Sequence, residues 1–247
     1  MQDYDYKEGR KRINTILNSK TKIKELTSIP KYESEFTYEN GISTWVGALF
    51  VDIRDSTVYF KENKSEHVAR IMRAFCSEII TILNKNDNYR QIGIRGDCIY
   101  AIYSAPLQAD LINILNDAIM INTFNKMFQK ILENNNLKTF KIGIGLGASK
   151  DLIVKAGKKG TGISDNIWIG DAVIDASKLS NQGNKYGFQP IVMDANFYDN
   201  IKDYKANKEY QYSYYFEKRK SNILYTNVYH GYMIYSDFND WIDNGMR

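Results

Sequence analysis

The stretch WVGALFVDIRDST, residues 45–57, changes character at its eighth residue: Trp45 to Val51 are apolar and uncharged, and from Asp52 onward the chain turns polar. Such a β-branched and aromatic run is the pattern of a central strand buried on both faces. A carboxylate, Asp52, therefore stands at the end of a core strand, with the turn-like IRDST after it.

Working outward, residues 65–85 place Val68, Ile71, Met72, Phe75, Ile79, Ile80 and Leu83 on one helical face. RQIGIR and CIYAIY then read as two short strands joined at Gly96-Asp97. Residues 108–133 repeat the helical pattern with Leu111, Leu115, Ile119, Phe124, Phe128 and Ile131. FKIGIGLGAS (140–149) and DLIVKAG (151–157) read as a second hairpin, and a short helix after Asp171 leads to the strand FQPIVMD (188–194). The order β-α-β-β-α-β predicts an α+β fold with a ferredoxin-like core, extended by the extra hairpin and by terminal elements.

Upstream, residues 7–28 carry Ile13, Ile16, Leu17, Ile23 and Leu26 at helical spacing and predict one amphipathic leading helix ended by Pro30. No Pro/Gly/Ser-rich linker divides the chain, so the expectation is a single domain over 43–200, a lead-in at 1–42 and a tyrosine-rich extension at 201–247. That tail reads as an edge strand and packing flank, with a base-stacking surface as the alternative.

Composition removes several function classes. Cys76 and Cys98 are the only cysteines and form no CxxC, so neither a disulfide framework nor a thiolate zinc site is expected. His67 and His230 lie far apart, which leaves no HExxH, and any bound metal should have oxygen ligands. The N-terminus has no apolar signal core, and no run approaches the ~20 residues that span a bilayer. The expectation is a cytoplasmic protein with no membrane partner. A net charge of +4 suits a phosphate-bearing ligand and is small for a nucleic-acid partner.

In the βαββαβ topology the first strand ends at the same sheet edge as the hairpin turn, which sets Asp52 and Asp97 face to face. Two carboxylates so placed either share a proton or hold a divalent cation, and oxygen-only ligands favour magnesium or manganese.

Four segments in register give this chain a family resemblance. FVDIRDST (50–57), IRGDCIYAIY (94–103), KIGIGLGAS (141–149) and WIGDAVIDASKL (168–179) resemble, in order, the motifs of the class III nucleotide cyclase catalytic domain. The resemblance implies two Mg2+ or Mn2+ ions per site, held by Asp52, Asp97 and the backbone carbonyl of Ile53. It also implies attack of the substrate's own ribose 3′-hydroxyl on the α-phosphorus, with loss of pyrophosphate. The backbone amides of Arg54, Asp55, Ser56 and Thr57 would cradle the β- and γ-phosphates, with the Arg54 side chain as a further phosphate contact.

Departures from the pattern narrow the substrate. The family's purine-reading positions fall on Gly93 and Ile167, neither of which offers a side-chain hydrogen bond. Gln91 and Arg95 share a strand face with Gly93, and Arg95 is the preferred replacement. This combination resembles the stand-alone pyrimidine cyclases of bacterial anti-phage signalling, the Pycsar cyclases, which implies a cyclic UMP or cyclic CMP product read by a separate effector. UTP is favoured over CTP; an adenylate cyclase and a catalytically degenerate nucleotide-binding domain are the alternatives. The family's transition-state Asn falls on Ile174 and its Arg on Lys178, so Lys178 and the neighbouring Asp175 are the catalytic candidates there, with Lys158 and Lys159 as a possible basic supplement. Class III sites form between subunits, which implies a head-to-tail homodimer.

Overall fold

A computed structural model describes residues 4–247. The chain runs α1 (Tyr6–Leu17), β1 (Lys22–Glu25), β2 (Asn40–Ile53), α2 (Ser56–Glu62), α3 (Ser65–Leu83), β3 (Tyr89–Arg95), β4 (Cys98–Ser104) and α4 (Gln108–Asn134). It continues as β5 (Ile142–Lys158), β6 (Ile163–Ile169), α5 (Asp171–Ser180), β7 (Ile191–Met193), α6 (Ala195–Ile201), β8 (Phe216–Lys220), β9 (Asn227–Gly231) and α7 (Ser236–Asp243). The strands form one sheet ordered β3-β4-β2-β5-β7-β9-β8, with β1 beside β2 and β6 beside β5. The expected ferredoxin-like unit is β2-α3-β3-β4-α4-β5, with β2 central between antiparallel β4 and β5.

The two-residue period of β2 divides the interior. Leu49, Val51 and Ile53 join α3 and α4 in the larger core, while Val46, Ala48 and Phe50 face Ala172 and Ala176 of α5. That second face is unusually close. A Cβ at Gly143, Gly145 or Gly147 would stand 2.2, 2.0 or 2.2 Å from the carbonyl oxygens of Ser180, Ala176 and Ala172. Two residues of strand and four of helix both advance by about 6 Å, so alternate glycines in β5 meet every fourth residue of α5. The alternating glycines of GIGLG thus let a helix lie directly on strand backbone.

Two sequence expectations are corrected here. The leading helix ends at Leu17, and residues 22–25 form β1, parallel to Asn40–Ser43. The cause lies in β2: β4 pairs with it only from Val46 onward, which leaves the backbone of Asn40–Ser43 to be satisfied by another strand. Residues 140–157 form no hairpin. β5 runs unbroken through Ser149-Lys150-Asp151, with Lys150 opposite Trp45 and paired to Glu25 at 3.0 Å. The reversal comes later, between β5 and β6, where Gly160 and Gly162 supply positive φ angles of 84° and 72°.

The tail completes the sheet: β9 pairs with β7, and β8 is the strand beyond it. Tyr198 and Tyr229 stack with ring centroids 3.5 Å apart, and α7 is tied to α4 by Lys126 and Asp243 at 2.8 Å. No helix among the described residues is long and apolar enough to cross a membrane.

Candidate active site

Asp52 is the penultimate residue of β2, and the pair Val51–Ile99 is the last rung it shares with β4. The β3–β4 turn, with Gly96 at φ 65°, therefore stands beside Asp52 and brings Asp97 to it. Burial pushes the Asp52 carboxyl above its ordinary range; the Arg54 guanidinium opposes this and the Asp97 charge reinforces it. The Cys98 thiol, enclosed in the same corner, is pushed up to about 12, chiefly by burial and then by the two aspartates, so it remains protonated.

Arg54 turns inward. It is 5% exposed, and its Nη2 donates to the Asp52 carboxylate and, at 3.2 Å, to the Asp52 carbonyl. Its Nη1 donates to the Asn181 carbonyl at the end of α5 at 2.6 Å. The guanidinium thus ties strand β2 to α5 and neutralises part of Asp52. Its backbone amide is also occupied, donating to the Lys141 carbonyl at 2.8 Å. Asp55 follows in the left-handed region at φ 53°, and its carbonyl caps α2 by accepting from Val58 and Tyr59. The amides of Asp55, Ser56 and Thr57 have no protein partner among the described residues.

The carboxylates of Asp52 and Asp97 are the ionised oxygen donors of this corner, beside the Arg54 guanidinium and the protonated Cys98 thiol. Such donors fit a hard divalent cation, and the Asp97 charge adds to the burial that raises the proton affinity of Asp52.

A second feature lies on the α5 side of the same strands. Gly93 pairs with Tyr100, and a Cβ on Gly93 would stand 2.5 Å from both the phenol Cζ and Oη. The glycine lets the Tyr100 ring lie over β3, while its other neighbour Phe50 stacks on it at 5.2 Å. Beside this pair is a cavity of about 350 Å³ reached by Gln91, Arg95, Ile167 and Trp168. Trp168 Nε1 donates to Gln91 Oε1 at 2.8 Å, and Gln91 Nε2 donates to Tyr100 Oη at 3.3 Å. Sequence reasoning placed Gln91, Gly93, Arg95 and Ile167 near one another and missed Tyr100 and Trp168. The hairpin register around Gly96 was the available signal for Tyr100, whereas Trp168 arrives through the β5–β6 pairing.

The α5 candidates do not reach the cavity: Lys178 is exposed and Ile174 is 46% exposed, and the α5 residues that line it are Val173 and Ser177. Asp175 has Asp171, Lys178 and Asp151 as its charged neighbours, and burial raises its carboxyl further than they do. Neither Asp175 nor Lys178 is among the charged groups that act on Asp52, which are Arg54, Asp97 and Lys185. Lys158 and Lys159 lie at the exposed end of the β5–β6 hairpin.

No family model matches the sequence. Curated relatives do. The chain is 41% identical over 243 residues to a uridylate cyclase of Treponema porcinum, spanning 98% of this chain and 82% of that protein. It is 30% identical over 253 residues to a uridylate cyclase of Gulbenkiania mobilis, spanning 98% of this chain and 97% of the relative. The chain belongs to the uridylate cyclase family.

Solved structures agree on the fold of this cyclase. The adenylyl cyclase CyaB from P. aeruginosa superposes with a TM-score of 0.65 at 18% identity, over 80% of this chain and 98% of that one. The guanylyl cyclase Cya2 gives 0.62 at 12% identity, over 81% and 97%. A dimeric guanylyl cyclase domain of the RhoGC fusion protein from Blastocladiella emersonii gives 0.55 at 18% identity, over 76% and 95%. Adenylyl and guanylyl cyclases and this cyclase therefore share one scaffold.

Proposed function

We propose that this cyclase converts UTP to 3′,5′-cyclic UMP and pyrophosphate in the cytoplasm, as a second-messenger synthase of bacterial anti-phage defence whose product a separate effector reads. The observation that carries the chemistry is the meeting of Asp52 and Asp97 at the ends of antiparallel strands, in a chain 41% identical to a uridylate cyclase. Asp52, Asp97 and the Ile53 carbonyl would hold two Mg2+ or Mn2+ ions, which would supply positive charge beside the ribose 3′-hydroxyl and the triphosphate.

The chain's own residues do the rest. The free amides of Asp55, Ser56 and Thr57 bind the terminal phosphates, which removes Arg54 from that role and makes it the group that holds Asp52 in place. In a head-to-tail homodimer, the cavity beside Gly93 and Arg95 takes the base of the nucleotide whose phosphates lie on the partner copy. The exposed Lys178 and the half-buried Asp175 of α5 then face the reacting phosphate across the seam. In-line displacement follows from positioning and charge, with no protein nucleophile.

The deciding experiment incubates the purified protein with manganese and each of ATP, GTP, CTP and UTP. Cyclic UMP as the main product is expected, together with loss of turnover in folded Asp52→Ala and Asp97→Ala. Conversion of ATP alone would refute the pyrimidine assignment. Nucleotide binding with no pyrophosphate from any substrate would make this a binding domain.

A further inference from the structure

The cavity beside Gly93 has one wall whose polarity is fixed by its neighbours. Gln91 carries an amide whose oxygen and nitrogen are interchangeable in shape, so what it presents depends on what holds it. Here an indole does the holding: Trp168 Nε1 can only donate, and it donates to Gln91 Oε1 at 2.8 Å. The amide nitrogen is thereby turned the other way, where one of its two hydrogens reaches Tyr100 Oη at 3.3 Å. The second hydrogen has no protein partner among the described residues, and both Gln91 and Tyr100 line the cavity. With its oxygen accepting from Gln91, the Tyr100 hydroxyl keeps its own proton free to donate. Two donors are therefore unspent beside the space.

We propose that Gln91, oriented by Trp168, reads the 4-position of the pyrimidine and selects uracil over cytosine. Uracil carries a carbonyl oxygen at C4, which accepts from the Gln91 Nε2–H. Cytosine carries an amino group there, which would oppose donor to donor and leave both groups unpaired in a partly enclosed site, the arrangement that discriminates most strongly. Trp168 is a positioning residue, acting only through the amide it orients. Arg95, a pure donor, is compatible with either pyrimidine through the carbonyl at C2, which both bases share. Asp165, a pure acceptor, sits at the exposed rim. The inference rests on the uridylate cyclase reading and goes beyond it by naming the group that tells the two pyrimidines apart.

The test measures kcat/KM for UTP and for CTP with manganese, in the wild type and in Gln91→Glu, Trp168→Phe and Tyr100→Phe, with folding checked by thermal melting. Gln91→Glu keeps the shape and exchanges the donor for an acceptor, and Trp168→Phe releases the amide to rotate. A fall of about tenfold or more in the UTP:CTP ratio is expected for Gln91→Glu, and a smaller fall for Trp168→Phe. In Trp168→Phe the fall should come from KM for UTP, with kcat moving less. Tyr100→Phe is isosteric and serves if the tryptophan variant does not fold; it should lower the ratio in the same direction. Wild-type turnover of UTP with an unchanged ratio in all folded variants would overturn the assignment of Gln91 alone. A ratio that falls in Asp165→Asn and not in these variants would overturn it equally, moving the selection to the rim. Absence of cyclic UMP from the wild type would bring down the proposed function, and this assignment with it.

Discussion

Replacing Gly145 by Ala tests whether α5 rests on strand backbone. A Cβ there would lie 2.0 Å from the Ala176 carbonyl oxygen, 2.3 Å from the Ser180 amide nitrogen and 3.0 Å from the Ala176 carbonyl carbon. Non-bonded contacts of a Cβ stay above 3.0 Å, so the helix must lift by about 1 Å. No flexible side-chain end is available to yield, because the clashing atoms are helix main chain. Ala172 and Ala176 are fully buried against β2, and lifting them opens the layer that also contains Val46, Ala48 and Phe50. Overpacking of this kind costs about 1–3 kcal/mol, and rigid backbone on both sides puts Gly145→Ala at about 3 kcal/mol. Urea denaturation followed by circular dichroism measures it. Gly96→Ala is the comparison: nothing lies within 4 Å of its Cβ, and only the φ of 65° opposes it, a cost of about 1 kcal/mol. Because Val173 and Ser177 on α5 line the cavity beside Gly93, kcat/KM for UTP should fall with the stability of Gly145→Ala. A Gly145→Ala protein within 0.5 kcal/mol of wild type, or less destabilised than Gly96→Ala, would refute the argument, since rough additivity of about that size is the noise of such comparisons.

Two further outcomes follow from buried charge. Asp117 accepts from Asn86 Nδ2 and from Tyr103 Oη, and burial raises its carboxyl to about 6, above the 3.8 of the unfolded chain. The native state therefore binds the extra proton between those values, and stability falls as pH rises from about 4 to about 6 and stays reduced above it. Asp117→Asn keeps an oxygen for both donors and has no such dependence. Its advantage in unfolding free energy over wild type, from urea denaturation, should grow from pH 4.5 to 7.5 towards an upper bound of about 2–3 kcal/mol, and a gap that does not change with pH would contradict the assignment. Arg54→Met should destabilise by about 2–4 kcal/mol by stranding Asp52, and Arg54→Met combined with Asp52→Asn should cost clearly less than the sum of the single changes. Strict additivity in that double-mutant cycle would mean that the two side chains do not support one another.

How far the sequence reached depended on whether a feature is local. The switch at Asp52 from apolar run to polar turn marked the strand end, and the four registered motifs marked the catalytic frame. Helical periodicity located α3 and α4 almost to the residue. It failed at residues 22–25, because β1 forms only where β4 stops short along β2, and no local pattern records that vacancy. Ser149-Lys150-Asp151 looked like a turn for the same reason: three polar residues are compatible with a turn, yet β2 supplies partners on through Gly41 and the strand continues.

In the candidate site, residue types were legible and their directions were not. Arg54 next to a metal-type aspartate suggests a phosphate contact, but the carbonyl of Asn181, 127 residues away, turns its guanidinium inward. Gln91 was legible as a polar side chain on the face of Gly93, and its sequence neighbours say nothing about which end of the amide points into the cavity. That depends on Trp168, 77 residues further on. By itself the sequence determined the central strand and marked Asp52 and Asp97 as candidates, because strand period and motif spacing are short-range properties of the chain. The tertiary structure alone decided which donors are already spent and which remain free for a ligand, because a hydrogen bond is completed by whatever group the fold brings within about 3 Å, however distant in sequence.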